Sequence, residues 1–404
     1  MREQPFRTCL PPREFRVLPP DSSLLPPVLK RLLTIGHSYV VGMNRRLADE
    51  MAKQAGDRWT VTAAAPARYA GDLGPIELER SSDDACEVVP LPVHLDRSPH
   101  LMIYGRLAPL MKQPWDLVHC WEEPYVMAAA QIAGAAPRGA AFVFSTFQNL
   151  AKSYPPPFNW IEQRVLRRSS GWIAFGETVH DTQRGRPGYG AIPSRVIPPG
   201  VDTRAFFPDA EGRARVRGDR GWDDSVPVIG FAGRFVPEKG LDILIAALRR
   251  IERPWRALFV GGGPELPKVQ ALTAAFPRRV SIARRVTHSE MPAFYNAMDL
   301  LCAPSQTTLR WREQFGRMLA EAMACGVPVV ASRTGEIPHV VGDAGVLLPE
   351  NDVNAWTSTL TRLLQDSAAR RDLADRGLRR ARTEFAWPIV TKRHLDFFDE
   401  ITAG

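Results

Sequence analysis

The chain has 404 residues, of which 45% are hydrophobic and 24% charged, and its formal net charge is +8. These values are typical of a soluble globular protein, and the length predicts at least two domains. No apolar run is long enough to span a membrane and no nucleic-acid-binding motif occurs, so the charge favours a small anionic ligand or an anionic membrane surface. Five scattered cysteines, and no apolar secretory signal at the N-terminus, predict a cytoplasmic protein with free, mostly buried thiols.

The first part of the chain predicts a parallel sheet. Residues 1–27 are rich in proline and arginine and lack periodicity, which indicates a disordered tail. A strand over 28–35, a glycine-bearing loop ending at Gly42, a helix over 44–56 and a strand over 59–64 follow. This order predicts ligand binding at the carboxyl ends of the strands. No clean G-x-G-x-x-G or G-x-x-x-x-G-K-[ST] occurs, so dinucleotide and P-loop sites lose their main support.

A short motif follows in the same part of the chain. The predicted elements are a strand over 87–92, a helix over 101–111 and a buried strand over 116–120. The last strand brings His119 to the carboxyl edge of the sheet. The residues immediately beyond it include Trp121, Glu122 and Glu123. His119 fits two interpretations about equally well, a contact to substrate or a core histidine bonded to the backbone.

The next elements complete the first part. They are a strand over 141–146, a helix over 160–169 capped by Asn159, a strand over 172–175 and a helix from Glu177. The helix over 160–169 carries a basic face, which is either a solvated surface or a contact to anionic lipid or a lipid-phosphate acceptor. That face consists of Arg164, Arg167 and Arg168.

A second series of strands and helices begins in the middle of the chain. A strand over 226–229 leads into residues 230–240, which read Gly-Phe-Ala-Gly-Arg-Phe-Val-Pro-Glu-Lys-Gly, and a helix over 241–250 follows. Arg234 and Lys239 flank a turn beside the helix start. Two cations there suit a diphosphate, because each charge-assisted hydrogen bond contributes about 1.5–3 kcal/mol. Any strand–loop–helix connection can nevertheless carry such residues.

Two further loops in this part follow predicted strands. A strand over 255–260 runs into glycines that include Gly262 and Gly263, which either allow close approach of a ligand to the backbone or form a tight turn. A strand over 280–283 is followed by Val286. The elements after these are a helix over 288–297 and a strand over 300–304.

The stretch 313–321 contains Glu313 and Glu321, eight positions apart, with Phe315 and Gly316 just after the first. A glycine near a helix start lets a ligand approach the backbone, and the unpaired N–H groups of the first turn bind anions such as phosphate. Carboxylates repel phosphate, so we expect the two glutamates to bind neutral hydroxyls, those of a sugar and a ribose. Taken alone, the stretch would favour an amphipathic helix with two solvated acids.

Together, residues 230–240 and 313–321 resemble the retaining glycosyltransferases of family 4, or glycosyl transferases group 1. The matching motifs are Gly-x-x-Gly-Arg…Glu-Lys-Gly and Glu-x7-Glu. The resemblance covers about residues 30 to 400 and implies the α/β fold called GT-B, in which two Rossmann-like domains face each other across a cleft. The implied segments are an N-terminal acceptor-side domain (28–204), a C-terminal nucleotide-sugar-binding domain (205–384) and a helix that crosses back to the first domain (385–404).

The resemblance also implies roles for individual residues. Arg234 and Lys239 would stabilise the leaving diphosphate, Glu313 would hold hydroxyls of the donor sugar, and Glu321 would hold the ribose. His119 would lie close to the transferred sugar. This sequence has Trp121 where a second histidine is common in the family, so the side chain that lines the acceptor pocket stays open among His119, Trp121, Glu122 and Glu123. The remaining donor contacts implied are Gly42, Gly262, Gly263, Val286, Phe315 and Gly316.

The implied reaction transfers a sugar from a nucleotide diphosphate sugar to an acceptor hydroxyl with retention of configuration, in polysaccharide or glycolipid synthesis. The expected partners are this donor, a saccharide or lipid-linked acceptor and an anionic membrane surface, but no nucleic acid. An Asp-x-Asp commonly holds the metal in the other main glycosyltransferase fold, and none occurs here, so no metal is expected. The nucleotide sugar is a substrate, and no cofactor is expected. The alternatives are an epimerase or phosphorylase on the same fold, a non-catalytic nucleotide-sugar-binding subunit or sensor, and a basic nucleic-acid-binding protein that would lack any supporting motif.

Overall fold

The structure is a computed structural model that describes residues 29–71, 74–82 and 84–403. The tail predicted for residues 1–27, which contains Cys9, lies outside the described residues. Within the described part of the chain, the cysteines are buried free thiols, as their scattered spacing predicts.

The first half of the chain, residues 29–205, contains one large parallel sheet. The strands of this half are β1 (Lys30–Ile35), β2 (Trp59–Pro66), β3 (Arg68–Tyr69), β4 (Ile76–Glu77), β5 (Glu87–Leu91), β6 (Val93–His94), β7 (Ile103–Tyr104), β8 (Leu117–Cys120), β9 (Ala141–Thr146), β10 (Gly171–Ala174) and β11 (Ser194–Val196). Its helices are α1 (Gly42–Gln54), α2 (Leu107–Met111), α3 (Met127–Ala135), α4 (Phe158–Arg168) and α5 (Glu177–Arg184). Among the described residues the large sheet has seven strands, in the order β11-β10-β9-β8-β1-β2-β5.

The second half, residues 206–386, repeats this architecture with a second parallel sheet. Its strands are β12 (Val228–Arg234), β13 (Arg256–Gly262), β14 (Val280–Ala283), β15 (Leu300–Ala303), β16 (Val329–Ser332) and β17 (Gly345–Leu348). Its helices are α6 (Ala210–Gly218), α7 (Leu241–Arg250), α8 (Leu266–Ala275), α9 (Met291–Asn296), α10 (Arg317–Ala324), α11 (Ile337–Val341), α12 (Val353–Gln365) and α13 (Ser367–Arg380). The strand order is β14-β13-β12-β15-β16-β17.

Both sheets are covered by helices on both faces, which is why their central strands are continuous apolar runs. Every residue of β8 and of β15 is buried. The strand order reverses beside β1, which pairs with β2 and β8, and beside β12, which pairs with β13 and β15. Ligands of such sheets bind outside the carboxyl ends of the strands at these reversals. A ligand-binding site is therefore expected at the loops that follow β1, β8, β12, β13 and β15.

The last helix, α14 (Trp387–Ala403), leaves the second half and packs on the first sheet. Leu395, Phe397 and Phe398 are buried in one apolar cluster with Leu32 of β1 and Leu47 of α1. A side chain on Gly200 would begin only 2.2 Å from the Trp387 ring, so this helix passes close over the segment that joins the two halves. The crossing helix implied by the family resemblance is present, whereas the domain limits at 204/205 and 384/385 stay predictions.

One predicted helix, over 101–111, is wrong in its first half. The chain there forms the short strand β7, and helix begins only at Leu107. Gly105 donates its N–H to the carbonyl of Pro92 (2.7 Å), and Arg106 has a left-handed backbone (φ 55°). Pairing with β6 and this turn therefore override the helical pattern.

Several element limits also differ from prediction, two of them at residues singled out above. The strand predicted to end at residue 229 continues to Arg234, so this arginine stands at the carboxyl end of β12. Helix α4 begins at Phe158, so Asn159 lies inside its first turn rather than capping it.

Candidate active site

Most residues predicted to bind the donor line one cavity of about 540 Å³ at the carboxyl ends of β12 and β13. We call it the first cavity. The predicted residues in its wall are Arg234, Lys239, Gly262, Val286, Glu313, Gly316 and Glu321. The first half of the chain contributes Met43, from the start of α1. The cavity therefore lies between the two halves, where two reversals of strand order meet.

An ion pair joins the two motifs inside the first cavity. The Lys239 ammonium lies 2.5 Å from Oε2 of Glu313, and the Ser305 hydroxyl donates to the same oxygen (3.2 Å). The ammonium also lies 4.8 Å from the ring centroid of Trp311. Glu313 and Lys239 are both largely buried. The contact brings together residues 74 positions apart and sets a positive and a negative group side by side in the wall.

Glu321, the second glutamate, is buried and bonded through both carboxylate oxygens. The Tyr295 hydroxyl donates to Oε2 (2.8 Å), and Nε2 of His288 lies 3.0 Å from Oε1. Burial, together with the nearby Glu321 carboxylate, raises the pKa of Tyr295 well above its ordinary value. The phenol therefore stays protonated and fixes one oxygen. Tyr295 and His288 also line the cavity, although no sequence signal identified them.

Gly316 shapes the start of α10 in the wall of the first cavity. It is the residue before the helix and has a left-handed backbone (φ 78°), which glycine adopts without strain. The first N–H groups of a helix have no partner within it, and the helix dipole adds partial positive charge there. Arg317, the first residue of α10, also lines the cavity. This end of the cavity can therefore bind an anion.

The two predicted glycines at the end of β13, Gly262 within the strand and Gly263 just after it, have different positions. Gly262 lines the first cavity, whereas Gly263 is not among its lining residues. A side chain on Gly263 would begin 2.5 Å from the carbonyl oxygen of Phe235, and its backbone angle (φ 147°) favours glycine. For Gly263 the structure therefore supports the tight turn rather than the predicted ligand contact.

A second cavity, of about 320 Å³, adjoins the first and shares Glu313 and Gly316 with it. Aromatic rings from both halves dominate its wall. These are Trp121, Phe147, Phe175, Phe315 and Trp387. The predicted donor contact Phe315 therefore lines this cavity rather than the first. Of the side chains left open in the first half, Trp121 is the one that reaches this space.

His119 does not reach any of these cavities, so its predicted catalytic contact requires correction. The ring is fully buried, with Nδ1 3.0 Å from the Thr34 hydroxyl and Nε2 2.9 Å from the Ser145 hydroxyl. Burial, with a smaller contribution from His394, holds its pKa well below the ordinary value. With both nitrogens occupied and no access to solvent, His119 is a core histidine. Its partners are side chains rather than the predicted backbone.

The two glutamates after Trp121 are also hydrogen-bonded within the fold. Glu122 accepts the backbone N–H of His37 (2.6 Å) and the Tyr104 hydroxyl (2.8 Å), and it lies 2.5 Å from Nδ1 of His37. Burial lowers the pKa of His37, but the Glu122 carboxylate outweighs it and the pKa is raised. Glu123 is buried, and burial raises its pKa to about 7 despite bonds from the Phe147 N–H and the Thr146 hydroxyl.

Gly42 stands at a third cavity, of about 410 Å³, which shares Met43, Arg317 and Glu321 with the first. It is the first residue of α1, and its N–H donates to Oε2 of Glu79 (2.8 Å). Its predicted contact to the donor stays a prediction. Among the described residues, no three His, Cys, Asp or Glu side chains come together in the way that a metal ion requires.

Comparison with known proteins identifies the class. Residues 226–366 match the family described as glycosyl transferases group 1, and residues 42–205 match glycosyltransferase family 4. A D-inositol 3-phosphate glycosyltransferase of Xylanimonas cellulosilytica is 32% identical over 322 residues, covering 75% of this chain and 71% of the relative. A GDP-mannose-dependent alpha-(1-6)-phosphatidylinositol monomannoside mannosyltransferase of Mycolicibacterium smegmatis is 40% identical over 179 residues, 42% of this chain and 47% of that protein.

Solved structures agree on the fold. Sucrose-phosphate synthase from Thermosynechococcus elongatus superposes with a TM-score of 0.71 at 21% identity, covering 93% of this chain and 99% of that one. HepE of Anabaena, solved in complex with UDP, gives 0.71 at 19% identity over 92% and 100% of the two chains. The two parallel sheets and these structural neighbours identify the α/β fold called GT-B. The chain belongs to glycosyltransferase family 4.

Proposed function

We propose that the enzyme is a retaining, metal-independent glycosyltransferase. In this proposal it moves a sugar from a nucleotide diphosphate sugar to an acceptor hydroxyl in polysaccharide or glycolipid synthesis. The observation that carries the proposal is the contact between Lys239 and Glu313 in a cavity that also contains Arg234, Glu321 and the start of α10. This wall combines cations for a diphosphate with carboxylates for hydroxyls, which a nucleotide sugar requires together.

The positive end of the first cavity would bind the diphosphate. Departure of a nucleoside diphosphate develops negative charge, and fixed charges and N–H groups that face this charge lower the barrier. Arg234, Lys239 and the first residues of α10 all line this cavity. In this proposal these groups supply the charge stabilisation without a bound metal or a cofactor.

The two glutamates would position the rest of the donor. Glu313 has one oxygen engaged with Lys239, and it lines both cavities, so it can hold a sugar hydroxyl at their junction. Glu321 would hold the ribose, with Val286 near the nucleobase. The acceptor hydroxyl then attacks the anomeric carbon on the face from which the diphosphate leaves. As the new C–O bond forms, the bond to the diphosphate breaks, and the leaving diphosphate takes the hydroxyl's proton.

The second cavity would hold the sugar at the point of transfer and the end of the acceptor. Its aromatic rings can stack on the apolar faces of sugar rings. The names of the relatives specify inositol 3-phosphate or a phosphatidylinositol monomannoside as acceptors of those proteins. For this chain we propose the broader class, a saccharide or lipid-linked acceptor.

The proposal is tested by release of nucleoside diphosphate from UDP-, GDP- and ADP-sugars, with and without EDTA. We expect release from one donor that is insensitive to EDTA and lost in Lys239→Ala and Glu313→Ala. Loss of activity in EDTA, restored by a divalent cation, would contradict metal independence. Thermal stabilisation by a nucleotide sugar without any turnover, even with a broad panel of acceptors, would favour the alternative of a non-catalytic binding subunit. No stabilisation by any nucleotide would contradict the donor site.

A surface of the first half supports contact with an anionic membrane. Trp160 of α4 is 65% exposed, and Leu101 and Met127 are further exposed apolar side chains. Their segments are joined, because the N–H of Met127 donates to the carbonyl of His100 (3.0 Å), whose ring lies 5.9 Å from Phe158 of α4. None of the helices in the described part of the chain has the length and apolar composition that crossing a bilayer requires.

The basic face predicted on α4 is smaller than expected. Arg164 and Arg167 are exposed, but Arg168 donates to the carbonyls of Pro137 and Ala140 and is part of the fold. We expect sedimentation with phosphatidylglycerol vesicles but not with phosphatidylcholine vesicles. A Trp160→Ala, Arg167→Glu double variant should reduce it. Equal sedimentation of wild type and variant would contradict this surface.

A further inference from the structure

A buried carboxylate of the second half caps a helix of the first half. Glu336 stands between β16 and α11 and is only 3% exposed. Its Oε1 accepts the N–H of Glu177 (2.8 Å), and its Oε2 accepts the N–H (2.9 Å) and the hydroxyl (2.5 Å) of Thr178. Glu177 and Thr178 open α5, so a negative group lies at the positive end of this helix. The capping side chain therefore comes from the opposite side of the cleft.

The fit around this carboxylate is close. A methyl group added to Gly176 would lie 2.3 Å from the carboxyl carbon of Glu336, so a larger residue at 176 cannot coexist with the present contact. The backbone of Gly176 is extended (φ −172°), a conformation that any residue adopts. The requirement for glycine at this position thus comes from the contact between the halves and not from the backbone.

The same residue holds the backbone of Glu313. The N–H of Glu336 donates to the carbonyl oxygen of Glu313 (3.0 Å), and the side-chain amide of Asn149, from the first half, donates to the same oxygen (2.9 Å). Gly335 lies against this carbonyl, since a side chain there would begin 2.1 Å from it. The segment that carries Glu313 is therefore fixed at one point by both halves of the chain.

We infer that Glu336 is a positioning residue for the transfer reaction, which couples closure of the cleft to the placement of Glu313. When the halves meet, the start of α5 binds the Glu336 carboxylate, and Asn149 binds the Glu313 carbonyl. These contacts hold the Glu313 carboxylate against Lys239 and toward the second cavity. If the halves separate, Glu313 loses the Asn149 bond and Glu336 loses its partners in α5. The inference rests on the proposed function, because it assigns Glu313 its role in the reaction.

Three variants test this inference without touching the cavities. Glu336→Ala removes the cap, Glu336→Gln keeps its shape but leaves only one acceptor oxygen, and Gly176→Ala pushes the carboxylate away from the opposite side. Asp366→Ala is the matched control, because Asp366 caps α13 through the N–H of Ala369 (2.8 Å) entirely within the second half. All four remove or disturb a helix cap, and only the first three lie at the contact between the halves.

We expect kcat for transfer to fall about 10- to 100-fold in Glu336→Ala and Gly176→Ala, with a smaller loss in Glu336→Gln. A displacement of the Glu313 carboxylate by about 1 Å is enough for a loss of rate of this size. The Kd for the nucleoside diphosphate alone, measured by calorimetry, should change less than about threefold, since its cations are not displaced. Asp366→Ala should lower the melting temperature but leave kcat unchanged. Unchanged kcat in Gly176→Ala, or an equal loss of nucleotide affinity, would overturn the inference.

Hydrogen exchange separates this inference from the proposed function. The amide hydrogen of Glu336 reports directly on its bond to the Glu313 carbonyl, whatever the reaction. In Gly176→Ala we expect it to exchange at least about tenfold faster than in the wild type, which corresponds to a loss of about 1.4 kcal/mol of protection. If the wild type turns over no donor but this exchange accelerates, the proposed function fails and the coupling stands. Unaltered exchange would overturn the coupling.

Discussion

The two sides of the cleft differ in how their site residues are encoded. On the side of the second half, two motifs separated by about 70 residues supply Arg234, Lys239, Glu313 and Glu321, and all four line one cavity. On the side of the first half, the motif histidine is buried, and aromatic rings scattered along the chain line the second cavity. The comparison shows that binding of charge is encoded in short motifs, whereas an apolar wall is assembled by packing.

The charged side should show the largest effect. Lys239→Ala should lower kcat about 10²- to 10³-fold, since one preorganised group facing developing charge contributes this much. The measurement is the initial rate of nucleoside diphosphate release. Lys268→Ala is the matched control, because Lys268 is an exposed lysine of the same half paired with Asp242 and Glu265. A comparable loss of kcat in Lys268→Ala would show that Lys239 acts no differently from an ordinary surface lysine.

The pH dependence of stability probes the apolar side. Burial lowers the pKa of His394, on α14, to about 4 from 6.5, although a bond to the Val390 carbonyl opposes the shift. The unfolded chain therefore binds a proton that the folded chain does not, and stability is lost as pH falls from about 6.5 to about 4. Relative to a His394→Asn variant, the wild type should lose roughly 3 kcal/mol over this window.

Urea unfolding of both proteins from pH 7.5 to 4.5 measures this difference. The subtraction removes contributions shared by the two proteins, including that of Glu123. Its pKa is raised to about 7, so its contribution runs in the opposite direction and destabilises the fold as pH rises. A pH-independent difference between the two proteins would show that His394 is not buried as a neutral ring.

His119 separates a structural role from a catalytic one. His119→Asn should cost about 1–3 kcal/mol of unfolding free energy, because the Thr34 and Ser145 hydroxyls lose buried partners. The folded variant should retain the wild-type kcat. Denaturation and initial rates on the same preparation test both statements. A large loss of kcat with unchanged stability would instead support the predicted catalytic contact of His119. The first half would then also supply a motif residue to the site, as the second half does.

Trp121 should give the smallest effect, confined to the acceptor. Trp121→Ala removes one ring from the second cavity, whose remaining aromatic rings keep it apolar. We expect the KM for the acceptor to rise roughly tenfold, or about 1.4 kcal/mol, with the affinity for the nucleotide unchanged. Steady-state kinetics with each substrate varied in turn measure this. An equal effect on nucleotide affinity would show that the two cavities act as a single binding site.

Local pattern was enough to predict much of the fold. The limits of β9, β14 and α7 match those predicted, and the alternation of strands and helices predicted the two parallel sheets. Strands buried on both faces must be apolar throughout, and helices between them must have one apolar face, so the pattern is visible in any short window. The pattern failed over 101–111, where pairing with a strand that precedes it outweighed helical periodicity.

That the residues of the two charged motifs line one cavity was also predictable, because charged groups on loops next to glycines leave a local signature. Trp121 was one of four candidates that the sequence left open, and only the structure shows that it lines the second cavity. Three further contacts have no local signature: Tyr295 fixes Glu321, and Asn149 and Glu336 hold the Glu313 backbone. Each depends on a partner at least 23 positions away or on the approach of one half to the other. Such contacts are decided by tertiary packing, because no local preference of the chain favours one distant partner over another.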